Sequence, residues 1–438
     1  MGEVEEVYVT IPYKPRSQFV AYHNRSERWA CIVAHRRAGK TVACINDLIK
    51  GALTCESKEP RFAYIAPYYA QAKDVAWSYL KFYSAPIPGI VINESELRVD
   101  YPNGGRVRLY GADNYDRMRG LYLDGVVLDE PADMDPRAWP EVIRPALADR
   151  AGWATFIGTP KGRNSFWSIW EGSKGADWFR AMMKASETGL VKQSELDDLR
   201  AMLTPEQYEQ ELECSFEAAI LGAYYGKEIK AAEAAGRICD VSHETSLPVY
   251  TAWDLGIGDS TAIWFFQVAG NEVRFIDHYE SHNQPLAHYV AVCKAKPYKY
   301  ADDWVPHDAK VRELGTGRTR VETLKELGCK PRLVPNHKIE DGINACRVNF
   351  TRFWFDEVKC RYGLEALRQY RSDYDDKLKT FKNTPKHDWC SHSADAFRYA
   401  AMAWRELRPE PKPKNIMAEL HRPRTLDELL EEQETYGH

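Results

Sequence analysis

Short apolar runs, each followed by a longer helix-like stretch, organise the first part of the chain. They are Trp29–Ala34 (WACIVA), Arg61–Ala66 (RFAYIA), Gly105–Tyr110 (GRVRLY), Gly125–Asp129 (GVVLD) and Ala154–Gly158 (ATFIG). Runs this apolar, without strict alternation, suit strands buried on both faces, so residues 1–185 are expected to form an α/β unit on a parallel sheet. Residues 186–246 are polar and helix-like. Thr204 followed by Pro205 marks a helix start there, because Thr can cap orphan amides and Pro fits a first helical turn. A second sheet pattern begins near Leu247 with Val249–Asp254, Ser260–Val268 and Glu272–Asp277, separated by glycine-bearing turns and expected to form a meander. Trp304–Asp308 reads as a strand end, and Gln284–Ala295 and Ser391–Trp404 as helices. The second unit is therefore set at 247–404. Residues 405–438 follow as a Pro-containing spacer (Pro409–Lys414) and a tail with a short capped helix at Thr425–Leu430.

The 438 residues include 44% hydrophobic and 12% aromatic side chains, enough for more than one buried core and incompatible with wholesale disorder. Fifty-nine Lys and Arg stand against 64 Asp and Glu, a net charge of −5, so any contact with nucleic acid must be local. The best place for one is residues 294–338, with eleven basic against six acidic side chains. The ten cysteines lack disulfide or zinc spacing. With no long uncharged apolar run and an acidic amino terminus, the chain is expected to be soluble, intracellular and free of membrane.

The string Ala34–Thr41 (AHRRAGKT) sits directly after an apolar strand and before a helix-like run. A phosphate loop needs inward amides at a helix start, a Lys for the terminal phosphates and a hydroxyl for magnesium, which Gly39, Lys40 and Thr41 supply. Arg36, Arg37 and Ala38 complete the loop, and Ala34 stands where a first glycine is usual. Gly125–Asp129 ends in the acid pair Asp129 and Glu130. The first suits magnesium and the second an attacking water. Arg117 or Arg119 is a candidate transition-state guanidinium, with Arg119 preferred. Thr159, at the end of another strand, is a candidate phosphate sensor, and Gln18 a candidate contact to a base edge.

A second set of acids lies in the later unit. Asp254 ends a strand, Asp308 ends another, and Asp388, His392 and Asp395 have the spacing of one helical face. Gathered carboxylates resist joint ionisation unless a cation neutralises them, so this set predicts Mg²⁺ or Mn²⁺, two ions in all, in a ribonuclease H-like metal nuclease. Asp254, Asp308 and Asp395 are the chosen direct ligands, with Asp388 also among the metal candidates and Asp259 and His392 as alternatives. Lys310, Arg312, Arg318, Arg320 and Lys338 are candidate DNA phosphate contacts near Asp308.

Taken in order, Ala34–Thr41, Val126–Glu130, Ile157–Pro160, Ala252–Asp254, His307–Asp308 and His392–Tyr399 make the chain resemble the large terminase subunit of tailed double-stranded DNA bacteriophages, across about residues 10–402. The resemblance implies an amino-terminal P-loop NTPase with an ASCE-type parallel sheet, followed by a ribonuclease H-like nuclease. It implies ATP and magnesium at Lys40, Thr41 and Asp129, hydrolytic water at Glu130, coupling at Thr159 and nuclease metals at Asp254, Asp308 and Asp395. It also implies action on double-stranded DNA, a portal protein and a small terminase subunit as partners, and a homo-oligomeric ring, commonly a pentamer. Such a ring would act in the host cell cytoplasm, docked transiently on the viral procapsid and absent from the mature virion. Two other classes compete with this reading: a repair helicase-nuclease and a nucleotide-dependent assembly scaffold without turnover.

Overall fold

The computed structural model describes residues 9–216, 222–256, 260–312, 317–375 and 380–407. Asp259, most of the polar loop before Arg318, the Pro-containing spacer and the tail helix lie outside the described residues.

The first sheet has eight strands: β1 (Trp29–Ala34), β2 (Arg61–Ala66), β3 (Val91–Asn93), β4 (Arg98–Asp100), β5 (Arg106–Gly111), β6 (Gly125–Asp129), β7 (Trp153–Gly158) and β8 (Trp178–Met183), in the order β3-β4-β5-β2-β6-β7-β1-β8. All five expected strands are present and run parallel, so their carboxyl ends share one sheet edge. The two short strands β3 and β4 pair antiparallel at the far edge. They carry too few apolar residues to register as strands in the sequence. One face of the sheet is closed by the helix Lys40–Thr54, which inserts Ala43, Cys44, Leu48 and Ile49 against Tyr64, Val127 and Ile157.

The second sheet has seven strands: β9 (Ile238–Cys239), β10 (Val249–Leu255), β11 (Ser260–Ala269), β12 (Glu272–His282), β13 (Tyr300–Val305), β14 (Pro331–Leu333) and β15 (Phe353–Asp356), in the order β14-β13-β10-β11-β12-β15-β9. β10, β11 and β12 form the expected antiparallel meander, and β13 returns parallel to β10. The helix Ser391–Leu407 lies across β10 and β11, where the Trp264 indole donates to the Ser393 carbonyl at 2.8 Å. The molecule is α/β: a mostly parallel eight-stranded sheet followed by a mixed seven-stranded sheet built on an antiparallel meander.

Between the sheets, the helix Pro205–Glu211 starts in a full capping box: Thr204 accepts from the Gln207 amide at 3.2 Å, and Gln207 accepts from the Thr204 amide at 2.9 Å. Leu196, Tyr208 and Leu212 build a small core of their own. The stretch expected to link the units also feeds the second core, because Tyr225, Ile229 and Ala232 pack there and Ile238–Cys239 pairs with β15.

Buried ion pairs join the two sheets. Arg137 donates to Asp135 at 2.8 Å and to the Glu280 carbonyl at 3.0 Å, while its guanidinium lies 4.1 Å over the Tyr362 ring. Asp133 holds both Lys161 and, at 3.0 Å, Arg371. His282 contacts Asp116.

Candidate functional site

The loop between β1 and the helix Lys40–Thr54 turns through two left-handed residues, Arg37 (φ 65°) and Gly39 (φ 98°). Gly39 is suited to this, since a side chain there would be strained and would lie 3.3 Å from the Arg16 guanidinium. Arg16 donates to the carbonyls of Arg37 at 3.0 Å and Ala38 at 2.8 Å, pinning the loop from outside. Of the residues around Gln18, the one that touches the loop is Arg16. Gln18 instead donates to the Thr188 carbonyl at 2.9 Å. Arg36 is likewise turned away, paired with Glu211 at 2.8 Å.

A cavity of about 500 Å³ opens beside the loop, lined by Arg37, Ala38, Gly39, Lys40 and Thr41 and faced by Tyr79. The Lys40 ammonium donates to the Ala34 carbonyl at 2.8 Å and to the Thr159 hydroxyl at 3.3 Å, and stands 3.6 Å from Glu130. Thr159 completes the contact by donating its amide to Glu130 at 3.1 Å. The structure thus brings Lys40, Thr159 and Glu130 together from three separate elements. Glu130 itself has φ 53°, a left-handed conformation that is uncommon away from glycine and often stored at functional positions.

Asp129, at the end of β6, is 4% exposed and accepts from the Tyr64 phenol. Burial pushes its carboxyl up to about 7, and the neighbouring Glu130 pushes it the same way. A buried carboxylate whose charge is this poorly compensated fits a hard divalent cation.

Arg119 lies elsewhere. Its guanidinium is 2.7 Å from Asp116 and 3.5 Å from Glu141, outside the residues lining the Lys40 cavity. The local sequence Asp116–Arg119 explains the difference, since a carboxylate three residues back is a nearer partner than anything across the sheet. Within one chain no finger from Arg119 reaches this pocket.

The second set of acids is built differently. Asp254 lies near the end of β10, and Asp308 follows the end of the parallel neighbour β13, in the short helical turn His307–Lys310. Both therefore lie toward one edge of the second sheet, where the helix Ser391–Leu407 brings His392 and Asp395. His392 Nδ1 is 2.9 Å from Asp254, and Asp395 is held by Arg398 at 2.7 Å and by the Tyr370 hydroxyl at 3.3 Å. Burial pushes the Asp254 carboxyl up to about 6, and the charge of Asp395 adds to it against the pull of His392. The phenol of Tyr399 is raised by burial first, then by the negative charges of Asp254 and Asp395, with a smaller push from Asp308.

Asp388 does not share that position. It precedes the helix, takes contacts from Cys390 and Lys386, and lines a cavity of about 280 Å³ between the sheets that His392 also borders. The helix begins only at Ser391, so the expected helical face of Asp388, His392 and Asp395 is broken at its first member. Among the described residues no three His, Cys, Asp or Glu side chains converge closely enough to form a ready metal cage. The chemistry of Asp254 and Asp395 still fits Mg²⁺, which is commonly held by one or two carboxylates with water and substrate phosphate completing the shell.

Of the basic residues near Asp308, Lys310, Arg312 and Lys338 are exposed. Arg318 is exposed and paired with Glu326 at 2.6 Å. Arg320 is a correction: it is buried and donates to the Leu255 carbonyl at 3.0 Å, so it secures the end of β10 and is closed to DNA.

Fold and site together define a two-part α/β protein, with a glycine-turned loop carrying Lys40 and Thr41 on one sheet and a carboxylate edge on the second. It resembles the large terminase subunits of double-stranded DNA bacteriophages. No family model matches the chain. The terminase large subunit of Thermus phage G20c is 28% identical over 184 residues, and that match spans 38% of this chain and only 38% of the relative's own length. The terminase large subunit of Escherichia phage T5 is 22% identical over 412 residues, covering 88% of this chain and 86% of the relative. Among solved structures, the large terminase of the thermophilic bacteriophage D6E aligns with a TM-score of 0.42 at 14% identity, covering 88% of this chain and 98% of that one. Among the described residues no helix is long and apolar enough to cross a membrane.

Proposed function

We propose that this chain is the motor and cutter of a phage packaging machine: it hydrolyses ATP to drive double-stranded DNA into a procapsid and severs the DNA with a metal-dependent endonuclease. The observation that carries this reading is the presence of two unlike acid centres on one chain. One faces a lysine and a glycine-turned loop beside a nucleotide-sized cavity; the other faces histidine, arginine and an open sheet edge. The terminase names of its relatives support the same reading.

At the first centre, Lys40 exchanges the Ala34 carbonyl for terminal phosphate oxygens, while the loop amides hold the rest of the chain of phosphates. Thr41 and Asp129 are the residues that would hold Mg²⁺, which would neutralise charge on the phosphates. Glu130 orients the attacking water and accepts its proton, and Thr159, bonded to both Lys40 and Glu130, senses the change. At the second centre, Asp254 and Asp395, with Asp308 from the same edge, are the residues that would hold Mg²⁺ or Mn²⁺, which would supply polarisation of a phosphodiester. Lys310, Arg312 and Lys338 steady the DNA backbone, so cutting weakens as salt rises.

In this reading the partners are a portal protein, a small terminase subunit and further copies of the chain in a ring, a pentamer on the procapsid, working in the host cytoplasm. A guanidinium for the transition state then has to come from outside the Arg119 position seen within one chain. The test is ATP-driven packaging into matching empty procapsids, scored as DNA protected from added nuclease. Protection that disappears in Lys40→Ala supports the motor. Duplex unwinding without protection would identify a free helicase-nuclease instead, and a lack of both ATP turnover and cutting in the assembled protein would identify a scaffold.

A further inference from the structure

Tyr64 has no part in the chemistry above, yet it occupies the most sensitive position in the nucleotide site. It lies on β2, on the face covered by the helix Lys40–Thr54, and is fully buried. β2 runs beside β6 with Tyr64 opposite Val127, which lets the ring reach along the strand to the acid at its end. There the phenol donates to Oδ2 of Asp129, and the side chain of Thr41 is a polar neighbour of the same phenol. One hydroxyl therefore touches the carboxylate that would hold a cation and adjoins the hydroxyl that would hold it from the other side.

We propose that Tyr64 is a positioning residue for the magnesium of the nucleotide site: its phenol fixes the rotamer of Asp129, leaves Oδ1 to face the cation, and keeps Asp129 and Thr41 at a spacing ready for metal. This inference rests on the reading of Lys40, Thr41 and Asp129 as a nucleotide site. A carboxylate on a buried strand end can turn about its last bond, and a donor locked on one of its oxygens removes that freedom before the metal arrives. Partners of this kind, one step behind the ligand, typically contribute 10- to 100-fold in metal affinity. A buried phenol that merely needed an acceptor would stabilise the fold without favouring the metal-bound state over the metal-free one.

The two roles separate in Tyr64→Phe, which keeps the ring and removes one oxygen. Full-length protein is titrated with a fluorescent ADP analogue in the presence and absence of Mg²⁺, and Mn²⁺ bound in the presence of ADP is counted by electron paramagnetic resonance. The expected result is Mn²⁺ binding weakened about 10- to 100-fold, with metal-free ADP binding unchanged. Mn²⁺ affinity within twofold of the parent, or equal weakening of ADP binding with and without metal, overturns the proposal. Lys40→Ala runs alongside: if the parent chain binds no ADP, or Lys40→Ala binds it equally well, the nucleotide-site reading falls and takes this inference with it. Should Tyr64→Phe not fold, 3-fluorotyrosine placed at position 64 of the otherwise unchanged chain supplies the second measurement. Its ¹⁹F resonance should shift when Mg²⁺ is added to the ADP complex, and an unmoved resonance overturns the proposal.

Discussion

The two acid centres differ in how their charge is balanced. At the first, Asp129 and Glu130 are neighbours in sequence and share a single ammonium, Lys40, 3.6 Å from Glu130, so burial and mutual repulsion leave Asp129 poorly neutralised. At the second, Asp254, Asp308 and Asp395 come from three elements, and His392 and Arg398 already offset two of them. The first centre is drawn together within the described residues, with Lys40, Thr159 and Glu130 already bonded to one another. The second is a set of donors along an edge, drawn from three elements and already partly neutralised. The contrast teaches that one chain can gather acids in two ways, as sequence neighbours at a single strand end or as separate donors offset by a histidine and an arginine.

The sharpest way to break that comparison is to disable each centre separately. Glu130→Gln should cut ATP turnover by about 10²- to 10⁴-fold, the usual worth of a positioned general base, and leave metal-dependent plasmid cleavage within a few-fold of the parent. Asp254→Ala should do the reverse, with cleavage falling by about 10³-fold for the loss of several kcal/mol of metal-centred stabilisation. If either substitution lowered both activities equally, the centres would not be independent.

The next largest effect concerns the join between the sheets. Arg137 sits between Asp135 and a Glu280 side chain that is 1% exposed. Arg137→Ala strands both acids without a counter-charge and should destabilise the fold by about 3–5 kcal/mol in urea unfolding. Arg332→Ala, which removes an exposed partner of Asp302, should cost about 0–1 kcal/mol. Similar costs for the two would mean that the join is hydrated.

Acidity separates the centres more finely. With Asp129 pushed up to about 7 and Asp254 to about 6, each carboxyl keeps its proton in the folded chain over a range where the unfolded chain has lost it. Each therefore contributes stability that is full below about pH 4 and is lost as the pH rises through the raised value. Asparagine removes that loss while keeping an acceptor oxygen. Relative to the parent, Asp129→Asn should gain stability between about pH 4 and 7, and Asp254→Asn between about pH 4 and 6, each on the order of 1–3 kcal/mol. Urea midpoints at pH 4, 6 and 8 check this. A gain that appears only below pH 4 would reverse the sign and sink the account of both carboxyls.

Much of the first centre was legible because its parts are local. Glycine, lysine and threonine adjoin after an apolar strand, and two acids end another, so strand order alone brought Lys40, Glu130 and Thr159 together. The meander and the shared edge of Asp254 and Asp308 were legible for the same reason. Side-chain direction was not. Arg36, Gln18, Arg119 and Arg320 each found a nearer partner in Glu211, Thr188, Asp116 or the Leu255 carbonyl, and Asp388 fell short of the helix by three residues. Such choices depend on which carbonyl or carboxylate the fold places within reach, and spacing along the chain does not encode them. Tyr64 gave no signal for the opposite reason: it sits in an apolar strand, and only the packed sheet brings its phenol to Asp129.

The smallest effect tests whether the enclosed centre is also the more rigid. Asn164, 2% exposed, accepts from the amides of Phe166 at 3.0 Å and Trp167 at 3.2 Å and donates to the Lys161 carbonyl at 3.1 Å, so it ties the loop after Thr159 to the following helix. Thr319 caps the helix Arg320–Glu326 beyond Asp308 with one hydroxyl, accepting from the Glu322 amide at 3.0 Å in exposed surroundings. Loss of a cap costs roughly 0.5–2 kcal/mol, with buried, multiply bonded caps at the upper end. Asn164→Ala should therefore cost about 1–2 kcal/mol and Thr319→Ala about 0.5–1 kcal/mol in urea unfolding. Amide hydrogen exchange at Phe166 and Trp167 should quicken in the first variant while exchange along β10 stays slow in the second. A larger loss in Thr319→Ala would place the stiffer turn beside the cutting site and reverse the contrast between the two centres.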